Sequence, residues 1–246
     1  MSPSSPSKPE FGALSEFGVK QKMRDGIYLS SDIYLPAKAR EKFPTIITRT
    51  PYITVEGFQK LFANEAAYFA RRGYVYIVQD CRGKNDSEGE YHPFFDDPED
   101  GFDTLRWISE QEWSIGVIGT TGASYQAWNQ WGTAALHPPG LKAMICTVSL
   151  PDPVINVPFQ NGARVLWMSE WMAMVEGKIK TDPSILESLK NYLHLPLDNL
   201  DETFGRKSKF WKNWIDHPSA DSYWKKSFYQ NKFGEIDLPV LHISGW

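Results

Sequence analysis

The chain predicts an α/β fold built on a mostly parallel sheet. Between Pro44 and Ser149, short β-branched and aromatic runs alternate with segments of helical length and spacing, the pattern of strand–helix–strand units. The 246 residues are 41% apolar and 14% aromatic, enough for a large buried core. Between Thr121 and Tyr125 an apolar run turns into a helical pattern through Gly122-Ala123-Ser124, with no room for a long connection. In such sheets, functional residues gather beyond the carboxyl ends of the strands.

Each element follows from local chemistry. Met1 to Pro9 is rich in Ser and Pro with no apolar run, so residues 1–16 are expected to be a disordered tail and not a secretory signal. Val19–Met23 and Ile27–Leu35 flank Asp25-Gly26, a pair suited to a positive-φ turn, and predict a β-hairpin. Pro44–Thr50 is a short apolar strand. Phe58–Arg71 has helical spacing and stops at Arg72-Gly73. Tyr74–Gln79 is a strand, Cys81–Asp97 a polar Gly-containing loop, and a helix begins at Asp97 or Pro98 and runs to Glu110. Val117–Thr121 is the strand that enters the sharp turn, the following helix reaches Leu136, and Ala143–Ser149 is another strand. Residues 17–149 thus form the first part of the core. Residues 150–235 are rich in Trp, Met and Phe, show helical spacing without strand alternation, and are broken by Pro151, Pro153, Pro158, Pro183, Pro196 and Pro218. They predict an inserted helical cap. Residues 236–246 return to the sheet as a buried strand.

Charge and composition exclude several classes. The net charge is −4 and basic runs are absent, which argues against nucleic acid or an anionic membrane as partner. No stretch approaches the ~18 apolar residues of a spanning helix. Two cysteines, Cys81 and Cys146, make no disulfide framework, so a reducing, cytoplasmic location is expected. Neither has metal-ligand neighbours, and no metal or organic cofactor is implied. The oligomeric state is not legible.

The turn at Ser124 carries the chemistry. A small residue, any residue, then Ser between strand and helix is the nucleophile elbow of α/β-hydrolases, which lifts a hydroxyl clear of the sheet and aims the next backbone N–H, here Tyr125, at a developing oxyanion. Gln126 stands where the pattern has its second Gly, and a small residue comes one place later, at Ala127. The competing reading makes Ser124 an N-cap on a core helix.

The surroundings favour the elbow. In order come Asp80-Cys81-Arg82-Gly83, Ser87-Glu88-Gly89, Asp100-Gly101-Phe102-Asp103-Thr104-Leu105-Arg106-Trp107, Gln111-Glu112-Trp113-Ser114, and Gly122-Ala123-Ser124-Tyr125. Together they resemble the cocaine esterase and X-prolyl dipeptidyl-peptidase group of serine hydrolases, the CocE/NonD family. The resemblance runs from Met23 to Trp246. It implies an α/β-hydrolase fold with a helical cap and a C-terminal β-sandwich domain. It also implies that Tyr52, in Thr50-Pro51-Tyr52, donates its hydroxyl to the oxyanion beside the Tyr125 N–H; the bland alternative is a Tyr packed at a strand end.

An activated Ser needs a base and an acid that orients it. The resemblance places both after Gly245-Trp246, so the chain is expected to be an amino-terminal fragment, truncated before the last strands and the β-sandwich, and inactive alone. Of the five histidines, His92 and His242 are the only alternatives, and neither follows an acid in hydrolase order. Asp80, Arg82, Asp100 and Asp103 read as structural, with Asp80 and Arg82 an ion pair shaping their loop. In the cap, Trp167 and Trp171, beside Met168, Met172 and Met174, are candidates to contact substrate, and plain cap core is the alternative for each. The family contains esterases, X-prolyl dipeptidyl-peptidases and amino-ester acylases. A peptidase needs cap carboxylates to grip an amino terminus, for which Asp152, Glu170, Glu176 and Asp182 are available. The expected reaction is cleavage of a small-molecule ester or short peptide through an acyl-enzyme on Ser124; the rival is a non-catalytic protein of the same fold.

Overall fold

The computed structural model describes residues 7–38, 40–52, 57–150, 152–160, 162–178, 189–205 and 207–245. Its centre is a seven-stranded sheet in the order β1-β2-β4-β3-β5-β6-β9. The strands are β1 (Ala13–Lys22), β2 (Tyr28–Pro36), β3 (Phe43–Thr50), β4 (Val75–Asp80), β5 (Ser114–Ala123), β6 (Leu141–Thr147) and, after the cap, β9 (Val240–Ile243). β1 and β2 pair antiparallel, as does β2 with β4; every other pairing is parallel. Helices α1 (Phe58–Ala70), α2 (Asp97–Ser109) and α3 (Tyr125–Ala134) connect β3 to β4, β4 to β5 and β5 to β6. The chain therefore leaves β3 toward β4 on one side and returns as β5 on the other. That reversal opens a crevice above the carboxyl ends of β3 and β5.

Alternation along β4 shows how the sheet is covered. Val75 and Ile77 pack with Leu105 and Ile108 of α2 and Ala127 and Ala134 of α3. Tyr76 and Val78 point the other way, against Phe62 and Ala66 of α1. Both faces are buried, so the strand reads as a continuous apolar run, as a central parallel strand must. α2 and α3 approach so closely that a Cβ on Gly101 would lie 2.1 Å from Thr133 Oγ1.

Three expectations need correction. The tail does not extend to residue 16: Glu10 and Phe11 donate to Arg71 O (2.8 and 3.1 Å), Phe11 packs edge-on against Phe43, and β1 begins at Ala13. β2 would otherwise be an open edge, and pairing with it ordered a segment whose composition argued for disorder. Residues 1–6 lie outside the described set. The return strand β9 is not buried either. Among the described strands it pairs with β6 alone, and Leu241 is 56% and Ile243 47% exposed. Finally, Asp80 and Arg82 are not partners. Arg82 joins Asp25 of the hairpin turn (2.5 Å) to Asp100 of α2 (2.6 Å), while Arg24 holds Asp103 (2.9 Å). The ion pairs thus fasten the β1–β2 turn to α2.

Asp80 instead accepts from Asn85 (3.0 Å) at the buried end of β4, and burial pushes its carboxyl up to about 7. A folded-state value raised above the unfolded one means the fold retains the proton where the unfolded chain has lost it. Stability is then greatest below about pH 4 for this group and declines as pH rises to about 7. A displacement of that size corresponds to at most about 4 kcal/mol. Asp80→Asn keeps an acceptor for Asn85, so the variant should lose much of the decline and be the more stable form at pH 8. Denaturant midpoints between pH 4.5 and 8 check this; an unchanged slope rules Asp80 out as its source.

The cap follows β6. It begins with a two-residue antiparallel pair, β7 (Phe159–Gln160) and β8 (Ala163–Arg164), in a region the sequence read as wholly helical; Gly162 at φ +84° turns the chain between them. Helices α4 (Met168–Val175), α5 (Leu189–Tyr192), α6 (Leu200–Thr203) and α7 (Lys209–Asp216) follow, then 3-10 turns at Trp224–Ser227 and Gln230–Glu235. The cap is not a separate body. Trp171, Met172, Phe210, Trp214 and Trp224 share one buried apolar cluster with Tyr125 and Trp128 of α3. Among the described residues no helix is long and apolar enough to cross a membrane.

Candidate active site

β5 ends at Ala123, and the next residue stands in a conformation rarely open to a side chain. Ser124 has φ 58° and ψ −121°, a backbone cost of order 1–3 kcal/mol that persists only where surrounding structure enforces it. Here its N–H donates to Thr147 O of β6 (2.9 Å), and its carbonyl accepts from Ala127 and Trp128 (3.0 Å each), the first turn of α3. The helix swings so close to the strand that a Cβ on Gly122 would meet the Cβ of Gln126 at 2.4 Å, which is why position 122 must be Gly. Gln126, in place of the pattern's second Gly, bonds helix to strand: its Oε1 accepts from Ala123 N (3.2 Å). Ser124 occupies the N-cap position of α3, yet its side chain makes no capping bond. The half-buried hydroxyl is therefore not spent on the helix, against the N-cap reading.

β3 lies beside β5, so the segment after β3 shares this crevice. Tyr52, two residues past the strand, has its N–H on Thr50 Oγ1 (3.0 Å) and its ring against Phe58. It is 5% exposed. Its hydroxyl accepts from the Trp171 indole N–H (3.0 Å) and interacts with the Ser124 side chain and the Tyr125 N–H. Burial pushes the phenol up, outweighing these bonds, so Tyr52 keeps its proton and remains a donor.

Beneath the elbow lies a polar anchor the sequence reading missed. The Tyr125 ring is fully buried; its hydroxyl donates to the Asp97 carboxylate and accepts from Phe94 N (3.0 Å). Asp97 faces the Arg49 guanidinium (Nη2–Oδ1 3.5 Å), and Arg49 also donates to Asp97 O (2.5 Å) and Gln79 Oε1 (2.9 Å). Burial raises the Asp97 carboxyl, opposed by Arg49 and then Tyr125. Gripping the ring from below fixes the backbone N–H that leaves the same residue above. The signal was Arg49 itself, a cation inside the apolar strand Thr45-Ile46-Ile47-Thr48: a buried guanidinium requires a partner.

The structure brings Ser124, Tyr52, Tyr125 and Trp171 together but separates the two candidate tryptophans. Trp167 is 49% exposed, whereas Trp171 is buried and its only polar atom is committed to Tyr52. His92 pairs with Asp96 (3.2 Å), His217 with Asp221 (2.6 Å) while stacking on Tyr223, and His242 stacks on Trp131. Among the described residues no histidine hydrogen-bonds to Ser124. Asp152 is buried and accepts from Tyr229 N (2.7 Å) and Gln230 N, so it anchors the end of the cap. Glu170 lies in the first turn of α4 and Glu176 at its C-cap, and Asp182 lies outside the described residues.

The strand order, the reversal at β3 and the strained serine between β5 and α3 define an α/β-hydrolase. The chain belongs to the X-Pro dipeptidyl-peptidase (S15) family, which it matches over residues 25–246. It is 30% identical over 245 residues to the cocaine esterase of Rhodococcus sp. (strain MB1 Bresler), an overlap of 91% of this chain and 42% of that protein. Among solved structures it resembles an α-amino acid ester hydrolase (TM-score 0.74, 22% identity, 98% of this chain and 45% of that one). It also resembles an aminopeptidase from a marine sediment Thaumarchaeota archaeon (TM-score 0.73, 24% identity, all of this chain and 45% of that one). At those identities the structural likeness shows the fold. The chain spans less than half the length of these relatives.

Proposed function

We propose that the protein is a serine hydrolase that cleaves a small-molecule ester or a short peptide through an acyl-enzyme on Ser124. The observation that carries this reading is the uncapped Ser124 hydroxyl, held in a strained turn beside the Tyr52 hydroxyl and the Tyr125 N–H. Ser124 Oγ attacks the acyl carbon and loses its proton to a base. The carbonyl oxygen becomes an oxyanion that accepts from Tyr52 and Tyr125. Collapse expels the alcohol or amine, which takes the proton from the base. Water repeats the sequence on the acyl-enzyme, releasing the acid and restoring the serine. The described residues set no base against Ser124, and in this proposal it comes from outside them. Names of relatives favour esters first, and the tethered Asp152 leaves Glu170, Glu176 and Asp182 as the cap carboxylates to test for amine recognition.

The test is covalent capture. A fluorophosphonate added to the protein expressed from its complete gene should give one adduct, which peptide mass spectrometry locates on Ser124. An adduct on another serine, or none under conditions where an activated ester is turned over, overturns the assignment.

A further inference from the structure

Tyr52 has one proton and two lone pairs to distribute. An indole N–H can only donate, so the 3.0 Å contact from Trp171 makes the Tyr52 oxygen an acceptor on its cap side. With its oxygen accepting from the cap, the hydroxyl proton is turned away from Trp171, to the side on which the Ser124 side chain meets Tyr52. An accepted hydrogen bond also polarises the O–H and strengthens it as a donor. We infer that Trp171 is a positioning residue: its indole N–H, delivered from the cap, fixes the Tyr52 hydroxyl so that its proton faces the elbow.

Two further features keep the indole in place. Its ring is stacked on Tyr125 (5.7 Å), Phe94 (6.2 Å) and Trp214 (6.2 Å), so it cannot swing without breaking the aromatic cluster. The carboxyl end of α4 is held by Lys84, a fully buried residue of the β4–α2 loop that donates to Val175 O and Gly177 O (2.5 Å) and places its ammonium where the helix dipole favours a cation. Lys178 returns a bond to Ser87 O (2.5 Å) in that same loop. The indole, its stack and the clasp place a donor from the cap on the oxyanion group of the core.

The inference rests on the role of Tyr52 proposed above, and the experiment separates the two. In the protein expressed from its complete gene, Trp171→Phe keeps a stacking ring and removes only the N–H. We expect kcat for an activated ester to fall about tenfold, the weight of one neutral hydrogen bond, with KM changed less than about twofold. In a Tyr52→Phe background the same substitution should cost almost nothing more, because the group it positions is gone. Trp171→His, which restores a ring N–H, should recover part of the loss, and it carries the comparison with Trp171→Leu if Trp171→Phe does not fold. A raised KM at unchanged kcat means Trp171 contacts substrate and overturns the inference, as do losses that multiply in the double variant or equal losses in Phe and His variants. If Tyr52→Phe alone leaves kcat intact, the role of Tyr52 has failed; if it lowers kcat and Trp171→Phe does not, only the positioning role has.

Discussion

Ser124→Ala is expected to reduce turnover of an activated ester to a small residual rate and to abolish fluorophosphonate labelling. Removing the nucleophile of such a unit costs up to roughly 10⁶ in kcat, the residue of activity coming from binding and oxyanion donors. The fold should survive. The hydroxyl makes no capping bond, and the strained φ of 58° is no worse for Ala than for Ser. Thermal midpoints should therefore agree within a few degrees while activity disappears. An inactive variant with a much lower midpoint would point to collapse of the elbow; retained labelling would mean that another serine is the nucleophile.

Tyr52→Phe is expected to lower kcat by roughly 10²–10³, the loss found for one oxyanion donor, with little effect on KM. The Phe ring fills the same space against Phe58, so packing is preserved. What is lost is the hydroxyl, and with it the acceptor for the Trp171 N–H. An unpartnered buried indole N–H costs of order 1–3 kcal/mol in stability. A modest drop in midpoint should thus accompany the kinetic loss. A drop in midpoint with kcat unchanged would make Tyr52 a packing residue after all.

Most of this architecture was legible because its signals are local. The Asp25-Gly26 turn, the apolar runs around Ile46 and Ile77, the Arg71-Arg72-Gly73 stop and the glycine before Ala123-Ser124 each fix their own few residues. Tyr52, Ser124 and Tyr125 could be grouped because strand ends converge in a parallel sheet and the motif order resembled a known family. What escaped was non-local. Nothing near Asp97 says that it will sit under Tyr125, 28 residues on, and nothing near Trp171 announces a bond to a hydroxyl 119 residues earlier. The same holds for Arg82, whose true partners Asp25 and Asp100 lie in the hairpin turn and in α2, with Asp80 the nearer choice in sequence. The last strand, Val240–Ile243, is exposed here because β6 is the one strand it pairs with among the described residues.

The continuity of the cap with α3 has a consequence for how the two can move. Lifting α4 and α7 away would bring Trp171, Phe210 and Trp214 into water, at roughly 1.5–3 kcal/mol for each large side chain, and would break the clasp at Lys84 as well. The cost of separating the two is therefore several kcal/mol, so α4 and α7 ride with α3 as one packed layer, and a disturbance in the cap cluster is felt at the turn from which α3 starts.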